Sequence, residues 1–166
     1  MNTNLIGDKQ TFGIEYSMLM VDPSPPYGFC RIWLGGNFLG GLEGEVYLTS
    51  VFFNLKSVSS TKNSLFLEDS LYSLSETEIF DLMKKDKISE DSKYWFMYTE
   101  GFDLYNKYVY RENEILNFLW QLRLEVYEEF ELQYISKQLF SSQVTIPLYE
   151  EVIEQFRIAL REHYKF

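Results

Sequence analysis

The sequence predicts an α+β fold: a mostly antiparallel sheet with three or four helices packed on it, built by residues 1–166 as a single domain. Three observations lead there. Two aromatic runs near the amino end alternate in the strand period and are divided by a proline cluster. Helical spacing of three and four begins only after residue 45, and a proline-opened helix closes the chain. At 166 residues and 46% hydrophobic composition the chain can bury its own core without a disulfide or a structural metal.

Residues 12–19 carry strand formers in imperfect alternation and read as the first strand. Pro23, Pro25 and Pro26 then break the run, because proline has no amide to donate to a ladder. Residues 27–34 resume as a second strand, with Tyr27, Phe29, Arg31 and Trp33 on one face and Gly28, Cys30, Ile32 and Leu34 on the other. The two strands form an antiparallel hairpin. Paired glycines at 35–36 and 40–41 bracket a short apolar piece, which suggests a tight turn, a brief strand and a second turn.

Leu48, Val51, Phe52, Leu55 and Val58 repeat at three and four, the pattern of a helix lying on a sheet. The serine-rich stretch 57–64 is the most loop-like part of the chain. Ser75-Glu76-Thr77-Glu78 spells a capping box, with Ile79, Leu82 and Met83 as the buried face and Lys84, Lys85 and Lys87 near the negative end of the helix dipole.

Residues 93–99 and 102–110 are aromatic, β-prone runs, and residues 111–114 form a polar turn. Residues 115–123 alternate like a strand, although the same stretch can be drawn as a helix. Residues 124–140 are also ambiguous, with a helix preferred. A short strand at 143–146 precedes Pro147, which suits the first helical turn, and Val152, Ile153, Phe156, Ala159 and Leu160 make that helix's inner face.

Charge and residue counts exclude much chemistry. Fifteen Lys plus Arg against 25 Asp plus Glu give a net charge of -10, unfavourable for phosphate backbones and for anionic membrane surfaces. A basic protein would instead be steered towards it. One cysteine, Cys30, precludes an internal disulfide, and one histidine, His163, precludes a multi-histidine metal site. Cys30 falls inside a strand, where an inert buried thiol is expected rather than a nucleophile. His163 reads as a cation-compatible residue near a helix end. The glycine cluster lacks the Lys and Ser/Thr of a phosphate loop, and no serine elbow or calcium loop is present. No cofactor and no catalytic residue is assigned, so the chain reads as a non-enzyme. With no secretory signal visible, no apolar run long enough to span a membrane, and an unpaired thiol, the expected location is the cytoplasm.

Two acidic features stand out. Glu150, Glu151 and Glu154 near the start of the last helix are expected to favour its positive dipole end. Glu125, Tyr127, Glu128, Glu129 and Glu131 place four acids and no base beside aromatics, a composition suited to a protein interface and, equally, to a solvated face over a buried aromatic stripe. Thirteen Tyr and 14 Phe exceed what one core readily absorbs, which again points to an interface.

Phe12-Gly13-Ile14-Glu15-Tyr16, then Tyr27-Gly28-Phe29-Cys30-Arg31-Ile32-Trp33-Leu34-Gly35-Gly36-Asn37 with Gly40, resembles the opening of the bacterial immunity protein 42 family found with polymorphic toxins. Phe102-Asp103-Leu104-Tyr105 and Phe118-Leu119-Trp120-Gln121-Leu122 resemble its later segments. The resemblance implies a cytoplasmic antitoxin that binds and neutralises a cognate toxin by occlusion, without catalysis and with no residue-level contact to carry over. A charge of -10 suits a basic toxin, whose active site an acidic partner could cover as a phosphate mimic. The rival reading is a small regulatory or scaffold module that binds an endogenous partner; a carboxylate-based hydrolase or transferase is a third, weakened by the missing motifs.

Overall fold

The computed structural model describes residues 3–20, 25–41, 44–85, 93–123 and 136–162. Among them eight strands form two antiparallel sheets, one of five strands and one of three, and three α-helices pack against them. The α+β class read from the sequence holds; its strands are shared between two sheets.

The first sheet runs β1 (Asn4–Gly7), β2 (Phe12–Met20), β3 (Tyr27–Leu34) and β4 (Asn37–Leu39), with the short β5 (Val46–Tyr47) also paired to β3. The central hairpin joins β2 to β3, with Ile14 opposite Ile32 and Tyr16 opposite Cys30. Burial alternates strictly along β3, so Gly28, Cys30, Ile32 and Leu34 point into the core, as their period requires. Gly35 and Gly36, at φ 58° and 82°, make the two-residue turn into β4, whose twist needs positive φ at both positions.

Helix α1 (Leu48–Thr61) buries Leu48, Val51, Phe52, Leu55 and Val58. It runs through most of the stretch that reads as loop, and residues 62–64 add a 3-10 turn. The serines and threonine there are compatible with helix because Ser60 and Thr61 donate back to the carbonyls of Lys56 and Ser57, while Ser59 is buried and donates to Glu150 at 2.8 Å. Helix α2 (Glu76–Lys84) carries the predicted capping box, with the Ser75 hydroxyl and the Glu78 carboxylate each satisfying the other's backbone amide. Its buried residues are Ile79, Phe80 and Met83, with Leu82 only half-buried.

The second sheet runs β6 (Tyr105–Glu112), β7 (Ile115–Leu122) and β8 (Phe140–Thr145). Residues 115–122 are therefore strand rather than helix. Arg111 and Glu112 finish β6, leaving Asn113 and Glu114 as the turn, with Asn113 at φ 54°. Of the preferred helix over 124–140, residues 124–135 lie outside the described residues, residues 136–139 are not helical, and Phe140 begins β8. Ile146 ends the neighbouring expectation too, since it opens α3 (Ile146–Arg161) with Pro147 in the first turn.

Tyr149 ties the layers together. Its ring stacks on Phe12 of the first sheet at 4.8 Å, meets Phe118 of the second at 5.8 Å, and its hydroxyl donates to the Leu55 carbonyl of α1 at 3.0 Å. The second sheet is covered on its other face by α2, through an edge contact between Phe80 and Tyr108. One hydrophobic cluster thus spans both sheets and all three helices.

Candidate partner-binding surface

A segment without regular structure, residues 93–104, lies along the free edge of β6. The Tyr94 carbonyl accepts from the Val109 amide at 2.7 Å, and Trp95 bridges Tyr108. An extended chain here would place Tyr94, Phe96 and Tyr98 on one face and Trp95 on the other. Tyr94 and Phe96 are indeed buried, but Met97 adopts φ 61°, a left-handed conformation unfavourable to a side chain with a Cβ. The alternation breaks at that residue. Met97 turns inward and is fully buried, and Tyr98 swings out beside Trp95.

The result is an exposed aromatic ridge. Trp95 and Tyr98 stack at 5.8 Å with 28° between their planes, and they are 43% and 55% exposed. Asn54 of α1 holds the ridge from beneath: its Oδ1 accepts from the Tyr98 amide at 2.7 Å, and its Nδ2 donates to Thr99 Oγ1 and to the Ser50 carbonyl. Phe53, the preceding residue of α1, is 55% exposed. Two clefts flank the ridge. One, about 210 Å³, lies towards α1 between Ser57, Thr61, Lys93 and Tyr98. The other, about 280 Å³, lies over β6 and is lined by Trp95, Tyr98, Asp103, Tyr105, Lys107 and Arg123.

Lys107 is the most perturbed base of the described residues. Burial draws its amine down from 10.5 to about 8, a fall that Asp103 opposes and Arg123 reinforces. Its one hydrogen bond is a long one, 3.4 Å, to the Tyr105 carbonyl, and it forms no ion pair.

The segments that carry the sequence resemblance fold onto β2 and β3, where their polar side chains bind each other. Glu15 accepts from Trp33 Nε1 at 2.9 Å, from Lys9 at 2.9 Å and from Thr3 at 3.2 Å. Burial alone would raise the Glu15 carboxyl; the hydrogen bonds from Lys9 and Trp33 outweigh it and hold the group below its usual value. Lys9 lies over the Trp33 ring, and Arg31 over that of Phe38. This face is a mutually satisfied polar network, unlike the ridge.

The predicted interface residues Glu125, Tyr127, Glu128, Glu129 and Glu131 lie outside the described residues, as does His163. Cys30 is buried at 2% exposure, and burial, with a smaller push from Glu15, drives its thiol pKa far up, so it is inert. The acids of α3 do not serve the dipole: none lies in the first turn, Glu150 pairs with Lys62 and Ser59, and Glu154 pairs with Arg157. Among the described residues, no three His, Cys, Asp or Glu side chains gather as a metal site would require. The ridge itself was legible only as an aromatic run ending in Glu100-Gly101; nothing in the residue types announces a left-handed methionine.

The sequence model of immunity protein 42 matches residues 1–158. The chain belongs to the immunity protein 42 family. It is an immunity protein, a partner that binds and neutralises a toxin. Its fold is similar to that of CdiI from Burkholderia dolosa AUO158, with a TM-score of 0.62 over 94% of this chain and 99% of that one. Identity is 14%, so the likeness concerns the fold. No curated protein sequence matches the chain. No helix among the described residues of this immunity protein is long and apolar enough to cross a membrane.

Proposed function

We propose that this immunity protein acts by occlusion alone. It covers its cognate toxin through shape and chemical complementarity, with no bond made or broken, and the Trp95–Tyr98 ridge forms the centre of the contact. The observation that carries this reading is the backbone of Met97. The left-handed turn at Met97 sets a tyrosine against an exposed tryptophan at the surface, and stacked Trp and Tyr beside clefts are what interface hot spots are made of.

Charge supplies the encounter. At net -10 the protein attracts a basic toxin, and steering of that kind raises the association rate without needing an exact fit. The acidic and aromatic residues Glu125, Tyr127, Glu128, Glu129 and Glu131 serve the same contact in this reading, because Arg123, just ahead of them in sequence, lines the cleft beside the ridge. The protein works in the cytoplasm, as one folding unit over residues 1–166, and binds neither nucleic acid nor membrane directly.

Co-expression with the cognate toxin domain tests the reading. Truncating Trp95 or Tyr98 to Ala should each cost about 2 kcal/mol of binding, roughly 30-fold in Kd, and abolish survival of the co-expressing cells at unchanged immunity-protein level. Full protection by the Trp95→Ala/Tyr98→Ala double variant would reject the ridge as the contact centre. Binding unaffected between low and molar salt would reject charge steering.

A further inference from the structure

We propose that the cleft between the ridge and β6 receives an aspartate or glutamate side chain of the toxin, its carboxylate paired with Lys107. The inference rests on the occlusion reading and names the chemistry of one contact within it.

The cleft is small, about 280 Å³, which suits one side chain rather than a peptide segment. Half of its lining is aromatic, Trp95 and Tyr98 from the ridge and Tyr105 and Tyr108 from β6, with Asn106 and Asp103 among the polar remainder. Two cations reach it, Lys107 from β6 and Arg123 from just beyond β7, in a chain whose acids outnumber its bases by ten. Lys107 stands directly across the ladder from Trp120, which is fully buried, so the lysine stem is packed in apolar surroundings. Its ammonium group can donate three hydrogen bonds and makes one, at 3.4 Å, to a neighbouring carbonyl. Asp103 shares the lining without coming within ion-pairing distance of Lys107. An unpaired, partly desolvated cation at a protein surface is costly unless a partner completes it.

Such a site confers selectivity. A toxin that brings a carboxylate gains a charge-assisted hydrogen bond inside a cleft walled in part by aromatic rings. A toxin that covers the cleft with an apolar side chain leaves Lys107 buried with nothing to bind, and is rejected by that penalty. Overall negative charge then attracts basic toxins as a class, while Lys107 distinguishes among them.

A zero-length carbodiimide reaction on the purified complex with a catalytically inactive toxin domain tests this directly, because it joins a carboxylate to an amine only where the two touch. The expected product is a cross-linked peptide pair holding Lys107 and an Asp or Glu of the toxin, together with a loss of binding of 30-fold or more in Lys107→Met and partial retention in Lys107→Arg. Coupling of Lys107 to Asp103 of its own chain, or wild-type affinity in Lys107→Met, would overturn the proposal. Equal competition by free acetate and by millimolar phosphate, with no toxin cross-link, would show a small-anion site and overturn it too. Failure of the ridge reading is a separate result: it would appear as unchanged binding in the Trp95→Ala/Tyr98→Ala variant.

Discussion

Replacing Lys107 with Met should make the free protein more stable, and the gain should fade in alkali. The lysine amine falls from 10.5 to about 8 on folding because burial strips its water. At about 1.4 kcal/mol per pH unit this gap sets an upper bound of about 3–4 kcal/mol, and residual solvent access at the cleft mouth reduces the expected gain to about 1–2 kcal/mol. The sign follows from proton binding. Between pH 8 and 10.5 the unfolded chain holds the proton more tightly, so wild-type stability recovers as pH rises through that window, and the penalty is fully present below pH 8. Methionine keeps the stem and carries no charge. Urea titrations at pH 7 should therefore show Lys107→Met more stable by about 1–2 kcal/mol, with Tm up by about 3–6 °C for a chain of this size. At pH 10.5 the difference should shrink towards zero. A variant less stable than wild type at pH 7, or a gain that does not change with pH, would refute the reasoning.

Other outcomes follow from the same structure. Glu15→Gln should cost about 1 kcal/mol at pH 7 by weakening the hydrogen bonds from Trp33 and Lys9; because the Glu15 carboxyl is held below its usual value, the difference should close as pH falls below about 4.5, and a constant difference down to pH 3 would contradict the network. Asn54→Ala should lower stability by about 1–2 kcal/mol and weaken toxin binding about tenfold, since it frees the Tyr98 backbone without touching either ring; unaltered affinity would show that the ridge needs no clamp. Cys30 should resist thiol reagents in the native state and react at the rate of unfolding, so rapid stoichiometric labelling of folded protein would contradict its burial.

The parts of the fold that could be read from residue types are those where one face meets water. β3 alternates between aromatic or charged residues and small or aliphatic ones because only one of its faces packs on helices, and both faces were assigned correctly. The Ser75–Glu78 box is local chemistry and needs no tertiary contact. β7 resisted a single reading for the opposite reason. Six of its eight residues, Leu116 to Trp120 and Leu122, are buried because α2 covers one face and the first sheet with α3 covers the other, and that erases the period that separates strand from helix. The serine-rich end of α1 looked like loop because its helical state depends on α3: Glu150 reaches across to Ser59 and Lys62. The division into two sheets depends on Tyr149 standing between Phe12 and Phe118, contacts more than 30 residues apart in sequence.

The proposed contact surface was less legible than the fold. Acidic composition points to residues 125–131, which lie outside the described residues; the ridge arises from a backbone angle at Met97 that no side-chain pattern encodes. Lys107 is similarly ordinary in sequence, one charge in an aromatic strand; only its place opposite Trp120 and in one cleft with Trp95 and Tyr98 makes it unusual.

Whether neutralisation is a matter of covering the toxin and nothing more is decided most directly by titrating toxin activity with this protein at concentrations far above the Kd. Inhibition should rise linearly and stop at one equivalent of immunity protein, and toxin recovered after denaturation and refolding should regain full activity at unaltered mass. Loss of activity at a small fraction of an equivalent, or a toxin whose mass has changed, would mean that this chain performs chemistry on its target.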